Sequence, residues 1–299
     1  MRYLLVGLGN IGQKRRRVLG SRCVATVDPF NSAADYPSPQ DCDAKTYDAA
    51  ILAVPNESKL KLLQYFLEHG KHVLVEKPLL FPDAHSATRL EEVAGQRNVI
   101  WYTAYNHRFE PLISELKQRL DAAAIGPMYH GRLFYGNGTV ADVAGSWRDV
   151  GLGVIEDLGC HLLDLAGFLL DCRGTKFEAV AQHGHEAAAP DHALMLSADG
   201  RLSLEMTYLS WKNTFAIDLY GECGSLHVNG LCKWGPSELI ERQRVRPSGV
   251  PHEQRQTVEG PDVTWQREID HFERLVSQGA SSADNDRWIS QVLRSAGAR

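Results

Sequence analysis

Apolar residues in the first 104 positions come in short runs, unbroken at 3–6 (YLLV) and 49–54 (AAILAV) and nearly so at 24–27 (VATV), 72–75 (HVLV) and 99–104 (VIWYTA). Such runs, lacking polar alternation, mark strands buried on both faces, as in a parallel sheet. Between them the chain turns helical in period. One such stretch runs to about Leu19, a second spans Leu60 to His69 with apolar Leu60, Leu63, Phe66 and Leu67 before Gly70, and a third spans Asp83 to Gln96. Alternating strands and helices predict a doubly wound α/β domain. One interval breaks the rhythm. From Asp28 to Asp48 the chain is rich in Pro, Ser, Asp and Ala without period, and is too short for a helix plus a strand. One βα unit is therefore expected to be trimmed to a loop.

A linking helix, Pro111 to Ala123, ends at Gly126 and Pro127, and the pattern then changes. Longer alternating segments follow at 128–135, 176–183, 192–198, 201–208, 215–221 and 224–230, with Asp199 and Gly200 as a two-residue hairpin turn. They predict an open, mainly antiparallel sheet, half-buried along much of its length. A helix near 153–165 is inserted after its first strand, and two helices, about 265–277 and 286–295, close the chain. The expected division is an α/β domain at 1–122 and an α+β domain at 123–299.

The first strand runs into GLGNIG, which places Gly7, Gly9 and Gly12 in GxGxxG spacing around Asn10 and Ile11. The first glycine permits a tight turn, the second lets a pyrophosphate approach the backbone, and the third lets helix and strand pack closely. The second strand ends in Asp28, where a carboxylate can accept from adenosine ribose hydroxyls and would repel a 2'-phosphate. This is a Rossmann-type dinucleotide site, with NAD favoured over NADP. The alternative for Asp28 is a turn-forming acid before Pro29. Val54, Pro55 and Asn56, at the end of the third run, are placed on the nicotinamide side of the crevice beyond the carboxyl ends of the strands. The fourth run ends in Glu76, Lys77 and Pro78. A Lys before Pro is held extended and can point into that crevice as a fixed charge, or face solvent in an ordinary turn.

GVIEDLGCHLLDL (153–165) combines an apolar stripe, Leu158, Leu162, Leu165 and Leu169, with Asp157 and His161 four residues apart. On a helix these two share one face a turn apart, and a carboxylate can orient an imidazole that exchanges protons near neutral pH. The plainer reading is a helix-terminal Asp with an incidental surface His.

Composition narrows the partners. The chain has 299 residues, 43% hydrophobic and 23% charged, with a net charge of -5, which lacks the basic footprint of a nucleic-acid binder. The basic run Lys14 to Arg17 is expected as a solvated helix face. Six cysteines show no CxxC pair and no zinc spacing, so reduced thiols and no metal are expected. The N-terminal apolar run is too short for a signal peptide, and no window reaches the roughly 18 apolar residues of a membrane span. A cytoplasmic protein without membrane partners is the expectation.

GLGNIG, Asp28, DAAILAVPN (48–56), GKHVLVEKPL (70–79), YNHRF (105–109) and the DxGxH at 157–161, in this order, resemble the glucose-fructose oxidoreductase / inositol dehydrogenase (Gfo/Idh/MocA) family. The resemblance implies an N-terminal NAD(P)-binding domain, a C-terminal domain with an open antiparallel sheet, and an active site in the cleft between them. It also implies Lys77, Asp157 and His161 as the catalytic set. In that scheme His161 is the general base, Asp157 orients it and accepts from substrate, and Lys77 stabilises negative charge on the reacting oxygen. Asn106 and Arg148 join these three as candidate substrate ligands.

This chain departs from the family pattern in four places, one of them the trimmed βα unit after Asp28, which weakens one wall of the adenine pocket. Lys59 stands where relatives commonly carry His, Val54 replaces a Thr, and the loop from Trp147 and Arg148 to Gly151, Leu152 and Gly153 is short. Trp147 and Arg148 either stack on and bind a sugar or its nucleotide phosphate, or form a Trp packed under a surface Arg. The expected activity is NAD-dependent oxidation or reduction of a sugar, polyol or nucleotide-sugar. Its alternatives are an NAD-dependent glycoside hydrolase with internal redox cycling and a non-catalytic NAD-binding regulator. A sheet face left uncovered by helices predicts a homodimer or homotetramer.

Overall fold

The computed structural model describes every residue except Trp147, Ser281, Ala298 and Arg299. It divides into two compact units, Met1–Asn106 with Trp265–Ser290, and His107–Thr264 with Gln291–Arg299. The boundary expected at 122/123 thus moves to 106/107, and the first unit recovers a C-terminal stretch. Helical period locates the closing helices in the sequence but does not say which core they join.

In the first unit, β1 (Tyr3–Val6), α1 (Asn10–Leu19), β2 (Cys23–Val27), β3 (Ala49–Leu52), α2 (Asn56–Glu68), β4 (His72–Glu76), α3 (Ala84–Arg97) and β5 (Trp101–Ala104) follow the predicted alternation. The strands form one parallel sheet in the order β2-β1-β3-β4-β5. Tyr3, Leu4, Leu5 and Val6 are all buried, as their unbroken apolar run requires for a strand covered on both faces. β1 and β3 are neighbours from which the chain proceeds to opposite edges, so the order switches there, and ligands of such sheets bind beyond the carboxyl ends at that point. Between Val27 and Ala49 there is one short 3₁₀ turn, Pro39–Asp41, and a single parallel bridge from Val27 to Tyr36. The trimmed βα unit is thus a loop with one bridge where a further strand would pair.

The second unit begins with α4 (Pro111–Asp121) and β6 (Met128–Gly136), followed by α5 (Val140–Val143) and α6 (Cys160–Leu170). Seven more strands come next: β7 (Phe177–His183), β8 (His192–Ser197), β9 (Leu202–Thr207), β10 (Thr214–Gly221), β11 (Gly224–Asn229), β12 (Ser237–Gln243) and β13 (His252–Val258). The sheet order is β13-β12-β11-β10-β6-β9-β8-β7, antiparallel throughout except for the parallel β6/β9 pair. β12 and β13 go beyond the predicted strands. β13 (HEQRQTV) is exposed over nearly its whole length, so it carries none of the alternation by which a half-buried strand is read.

α7 (Thr264–Gln278) and α8 (Asp284–Gly297) close the chain. Ile269 and Phe272 of α7 pack with Tyr3, Leu5 and Ile51 of the parallel sheet. Asp286 of α8 accepts from the buried Thr103 hydroxyl at 2.8 Å. No helix among the described residues is long and apolar enough to cross a membrane.

Candidate active site

The glycine loop has the close contacts that its residue types demand. Gly7 has φ +93°, and a Cβ there would stand 2.2 Å from the Ala53 carbonyl oxygen. A Cβ on Gly12 would stand 1.9 Å from the Gly7 oxygen, whereas one on Gly9 would meet nothing within 4 Å. Two glycines are therefore required by backbone packing, and the third leaves open space at the N-terminus of α1. Gly9 is the N-cap and makes no side-chain cap, while Asn10 and Ile11 beside it are exposed. First-turn N–H groups of a helix lack intrahelical acceptors, and together with the helix dipole they suit a pyrophosphate. These residues fit a dinucleotide.

Asp28 closes the other side of this loop. Its Oδ2 accepts from the Leu8 N–H at 2.8 Å, and its Oδ1 from the N–H groups of Phe30 and Asn31 at 2.9 and 3.1 Å. Partial burial pushes its carboxyl up, but these three backbone donors outweigh it and hold the group below the usual carboxylate range. The carboxylate thus shapes both the glycine loop and its own turn, and an ionised carboxylate still has lone pairs left for a hydroxyl. Val54 is half-buried, and its Cγ1 lies 3.2 Å from where a Cβ on Gly7 would stand. Pro55 is the exposed N-cap of α2, and Asn56 its first residue, so that helix begins four residues earlier than its apolar stripe predicted.

β4 delivers Glu76 and then Lys77, whose peptide bond to Pro78 is cis. Glu76, a predicted cofactor ligand, has its Oε1 engaged by the Arg15 guanidinium, with Nε and the terminal nitrogen each at 2.7 Å. Arg15 is 0% exposed, pairs with Glu268 at 2.6 Å and stacks 4.3 Å from the Trp265 ring. This corrects the reading of Lys14 to Arg17 as a solvated face: Lys14, Arg16 and Arg17 are exposed, but Arg15 is in the core between two carboxylates. The sequence run hides it because its partner Glu268 is more than two hundred residues away. Lys59 is also buried, and its ammonium donates to the carbonyl oxygens of Lys77 at 3.0 Å and Pro78 at 2.9 Å.

In the second unit Asp157 does not sit on the regular helix. Residues Ile155–Gly159 form a π-turn and α6 begins only at Cys160, so the expected shared α-helical face of Asp157 and His161 is replaced by a π-bulge entering a helix. Such bulges are frequent at functional sites. Gly153 sets up the entry: it has φ +48°, and a Cβ there would stand 2.3 Å from the Pro190 oxygen. The Asp157 carboxylate accepts from the Tyr208 hydroxyl at 3.2 Å and lies 3.6 Å from the Arg148 guanidinium. Arg148 is therefore a partner of a predicted catalytic acid. Trp147, paired with it in the sequence reading, lies outside the described residues.

His161 is 6% exposed and packs against His107, 2% exposed, with ring centroids 4.1 Å apart. Tyr135 flanks both rings, at 6.0 Å from His161 and 5.3 Å from His107, and Phe215 lies 6.0 Å from His107. An incidental surface histidine would have none of these contacts. The predicted stripe Leu158, Leu162, Leu165 and Leu169 is buried, but so are Leu163, Ala166 and Asp164, which makes α6 a central helix rather than an amphipathic one. Asp164 is compensated by a two-pronged pair with Arg108, whose Nε lies 2.8 Å from Oδ2. Asn106, a predicted substrate ligand, is buried at the start of a 3₁₀ turn ending at Phe109. The sequence marks Lys59 only as a departure from the family pattern and Arg15 only as part of a basic run, and it singles out neither His107 nor Tyr208. YNHRF was the only local signal for His107, and for Tyr208 there was none.

By residue location, the glycine loop, Asp28, Val54 to Asn56 and Lys77 belong to the first unit, and Arg148, Asp157 and His161 to the second. Chemically, the first set offers a dinucleotide cradle and a lysine, and the second a carboxylate that accepts from one hydroxyl and pairs with one guanidinium, beside a buried imidazole pair.

The chain is similar to known proteins in sequence and in fold. The chain is 26% identical over 237 residues to scyllo-inositol 2-dehydrogenase (NAD(+)) of Bacillus subtilis, a stretch that covers 73% of this chain and 66% of that enzyme. It is 29% identical over 147 residues to levoglucosan dehydrogenase of Pseudarthrobacter phenanthrenivorans, covering 47% and 37% of the two chains. The matched parts thus span two thirds or less of these relatives. In fold, the solved structure of levoglucosan dehydrogenase in complex with NADH superposes with a TM-score of 0.82 at 17% identity, over 99% of this chain and 95% of that one. A putative myo-inositol dehydrogenase from Sinorhizobium meliloti gives 0.76 at 19% identity, over 99% and 97%. Residues 1–105 match the family description "Oxidoreductase family, NAD-binding Rossmann fold", and residues 113–227 match "GFO/IDH/MocA C-terminal domain". With these two matches in sequence order on the two units, the chain belongs to the GFO/IDH/MocA oxidoreductase family.

Proposed function

We propose that the protein is an NAD-dependent dehydrogenase acting on a hydroxyl or carbonyl of a sugar, polyol or nucleotide-sugar. The observation that carries this reading is the cradle of Gly7, Gly9 and Gly12, in which two glycines are closed by backbone contact and the third stands open at a helix N-terminus. Relatives named for inositol and levoglucosan oxidation support the substrate class. NAD, when bound, supplies the hydride acceptor or donor.

The protein's own groups handle the proton and the charge. His161 takes the proton from the substrate hydroxyl in oxidation and returns it in reduction. Asp157, itself held by Tyr208 and Arg148, accepts a substrate hydroxyl and biases the imidazole. Lys77 stabilises charge developing on the reacting oxygen. Asp28 selects NAD by accepting from the ribose and repelling a 2'-phosphate. Asn106 and Arg148 contribute to substrate recognition. Six free thiols fit a reducing, cytoplasmic setting. The exposed Tyr129, Val180 and Tyr220 on sheet strands are consistent with a homo-oligomer built on that sheet.

The test is NADH formation from NAD with a panel of inositols, levoglucosan and nucleotide-sugars. Turnover lowered to a small measurable residue in Lys77→Ala and in His161→Ala supports the assignment. Full turnover in either variant sinks it.

A further inference from the structure

We propose that Lys59 is a positioning residue for Lys77, acting on the backbone that carries it. The inference rests on the role assigned to Lys77 above. Lys59 lies in the first turn of α2 and is 3% exposed. β4 ends its ladder with β5 at the Glu76–Ala104 pair, so the next two carbonyls, of Lys77 and Pro78, lie beyond it. Buried carbonyls need partners, and here one ammonium serves both, at 3.0 and 2.9 Å. An amide side chain would satisfy such carbonyls without the desolvation of a full charge. The charged donor brings hydrogen bonds roughly twice as strong as neutral ones.

The clamp has a counterpart one residue upstream. Glu76 is gripped by Arg15, which is itself wedged between Glu268 and the Trp265 ring. Lys77 therefore projects from a segment tied on one side to α1 through Glu76 and on the other to α2 through its own and the next carbonyl. α2 also begins at Asn56, next to the Val54 and Pro55 edge assigned to the nicotinamide. A single helix thus ties that edge to the backbone direction of Lys77.

The experiment compares the full-length protein with Lys59→Met, which removes the donor, and Lys59→Gln, which keeps a neutral one. Hydrogen exchange followed by mass spectrometry is read on peptides spanning 74–82, with the strand at 49–52 as control. Lys59→Met should speed exchange at 74–82 and leave the control strand unchanged, with Lys59→Gln in between. In turnover, Lys59→Met should lower kcat by about 100-fold, the scale for a misplaced reactive group. Its KM for NAD should stay within about two-fold, since uniform cofactor binding is not what is lost. Combined with Lys77→Ala, it should lower turnover no further. Unchanged exchange at 74–82, or losses that multiply in the Lys77→Ala background, overturns the proposal. If Lys59→Met does not fold, Lys59→Gln carries the same comparisons. If the unmodified protein oxidises no polyol, the functional reading fails, and the exchange result alone decides whether Lys59 holds the turn.

Discussion

The Tyr208 hydroxyl donates to the Asp157 carboxylate across 3.2 Å, joining the residue after β9 to the π-turn ahead of α6. Burial first, and then the neighbouring Asp157 charge, push the Tyr208 phenol well above its ordinary value of 10.0. It therefore remains a donor across the neutral pH range. Tyr208→Phe should remove about 1 kcal/mol of stability, the net worth of a typical hydrogen bond. It should lower kcat more than KM if Asp157 must be held for the proton transfer. A steady-state comparison checks this, and an unchanged kcat would remove Tyr208 from the proton-transfer arrangement.

The same phenol sets an alkaline limit. A group whose folded pKa lies above its unfolded one contributes stability that is complete below the unfolded value and is lost as pH rises past it. Tyr3 and Tyr47 are raised in the same direction, chiefly by burial. Thermal melts should therefore be flat in these groups up to about pH 9 and fall above about pH 10, the unperturbed tyrosine range. The alkaline fall should be smaller in Tyr208→Phe than in the parent chain.

His107 and His161 pack ring on ring, so the two substitutions at 107 separate packing from chemistry. His107→Ala should cost about 3 kcal/mol by leaving a void beside a buried ring. His107→Phe fills the same space and should cost under about 1.5 kcal/mol. If His107→Phe melts like the parent but turns over slowly, the imidazole itself matters at 107. If both variants keep full turnover, His107 only packs.

Arg15→Met leaves Glu76 and Glu268 facing each other in the core without their cation. Breaking a buried pair in this way costs about 3–5 kcal/mol. Adding Glu268→Gln should recover part of the loss, because it removes one of the stranded charges. Denaturant titration of the three proteins reads it, and an Arg15→Met variant as stable as the parent would contradict the buried network.

Asp28→Asn should weaken NAD binding by about ten-fold and narrow the preference over NADP, since the repulsion of a 2'-phosphate goes with the charge. Because the folded carboxyl is held low by three backbone donors, its contribution to stability is present above the ordinary carboxylate range and is lost as pH falls below that range toward the lowered folded value. Calorimetry with both nucleotides decides the first point. Equal discrimination in parent and variant would place nucleotide selection elsewhere.

What the amino-acid sequence determined by itself is whatever depends on neighbours a few residues away. Short apolar runs identified the five strands of the parallel sheet, and the absence of period between Asp28 and Asp48 identified the trimmed unit. Gly7, Gly9 and Gly12 marked a cradle by their spacing, although the close contact that requires Gly7 comes from the Ala53 carbonyl beyond β3. The DxGxH spacing selected Asp157 and His161, which the structure places, respectively, in a held carboxylate site and against a buried ring. Tertiary structure decided which partners those residues have. Lys59 reads only as a departure from the family pattern until β4 brings two carbonyls to it. Arg15 reads as one of four solvated cations until α7 returns with Glu268 and Trp265. Tyr208 lies 51 residues from Asp157, and only the strand order brings them into contact. β13 was illegible for a related reason: its backbone pairs with β12 while its side chains face solvent, and a strand held by ladder bonds alone leaves no hydrophobic period to read.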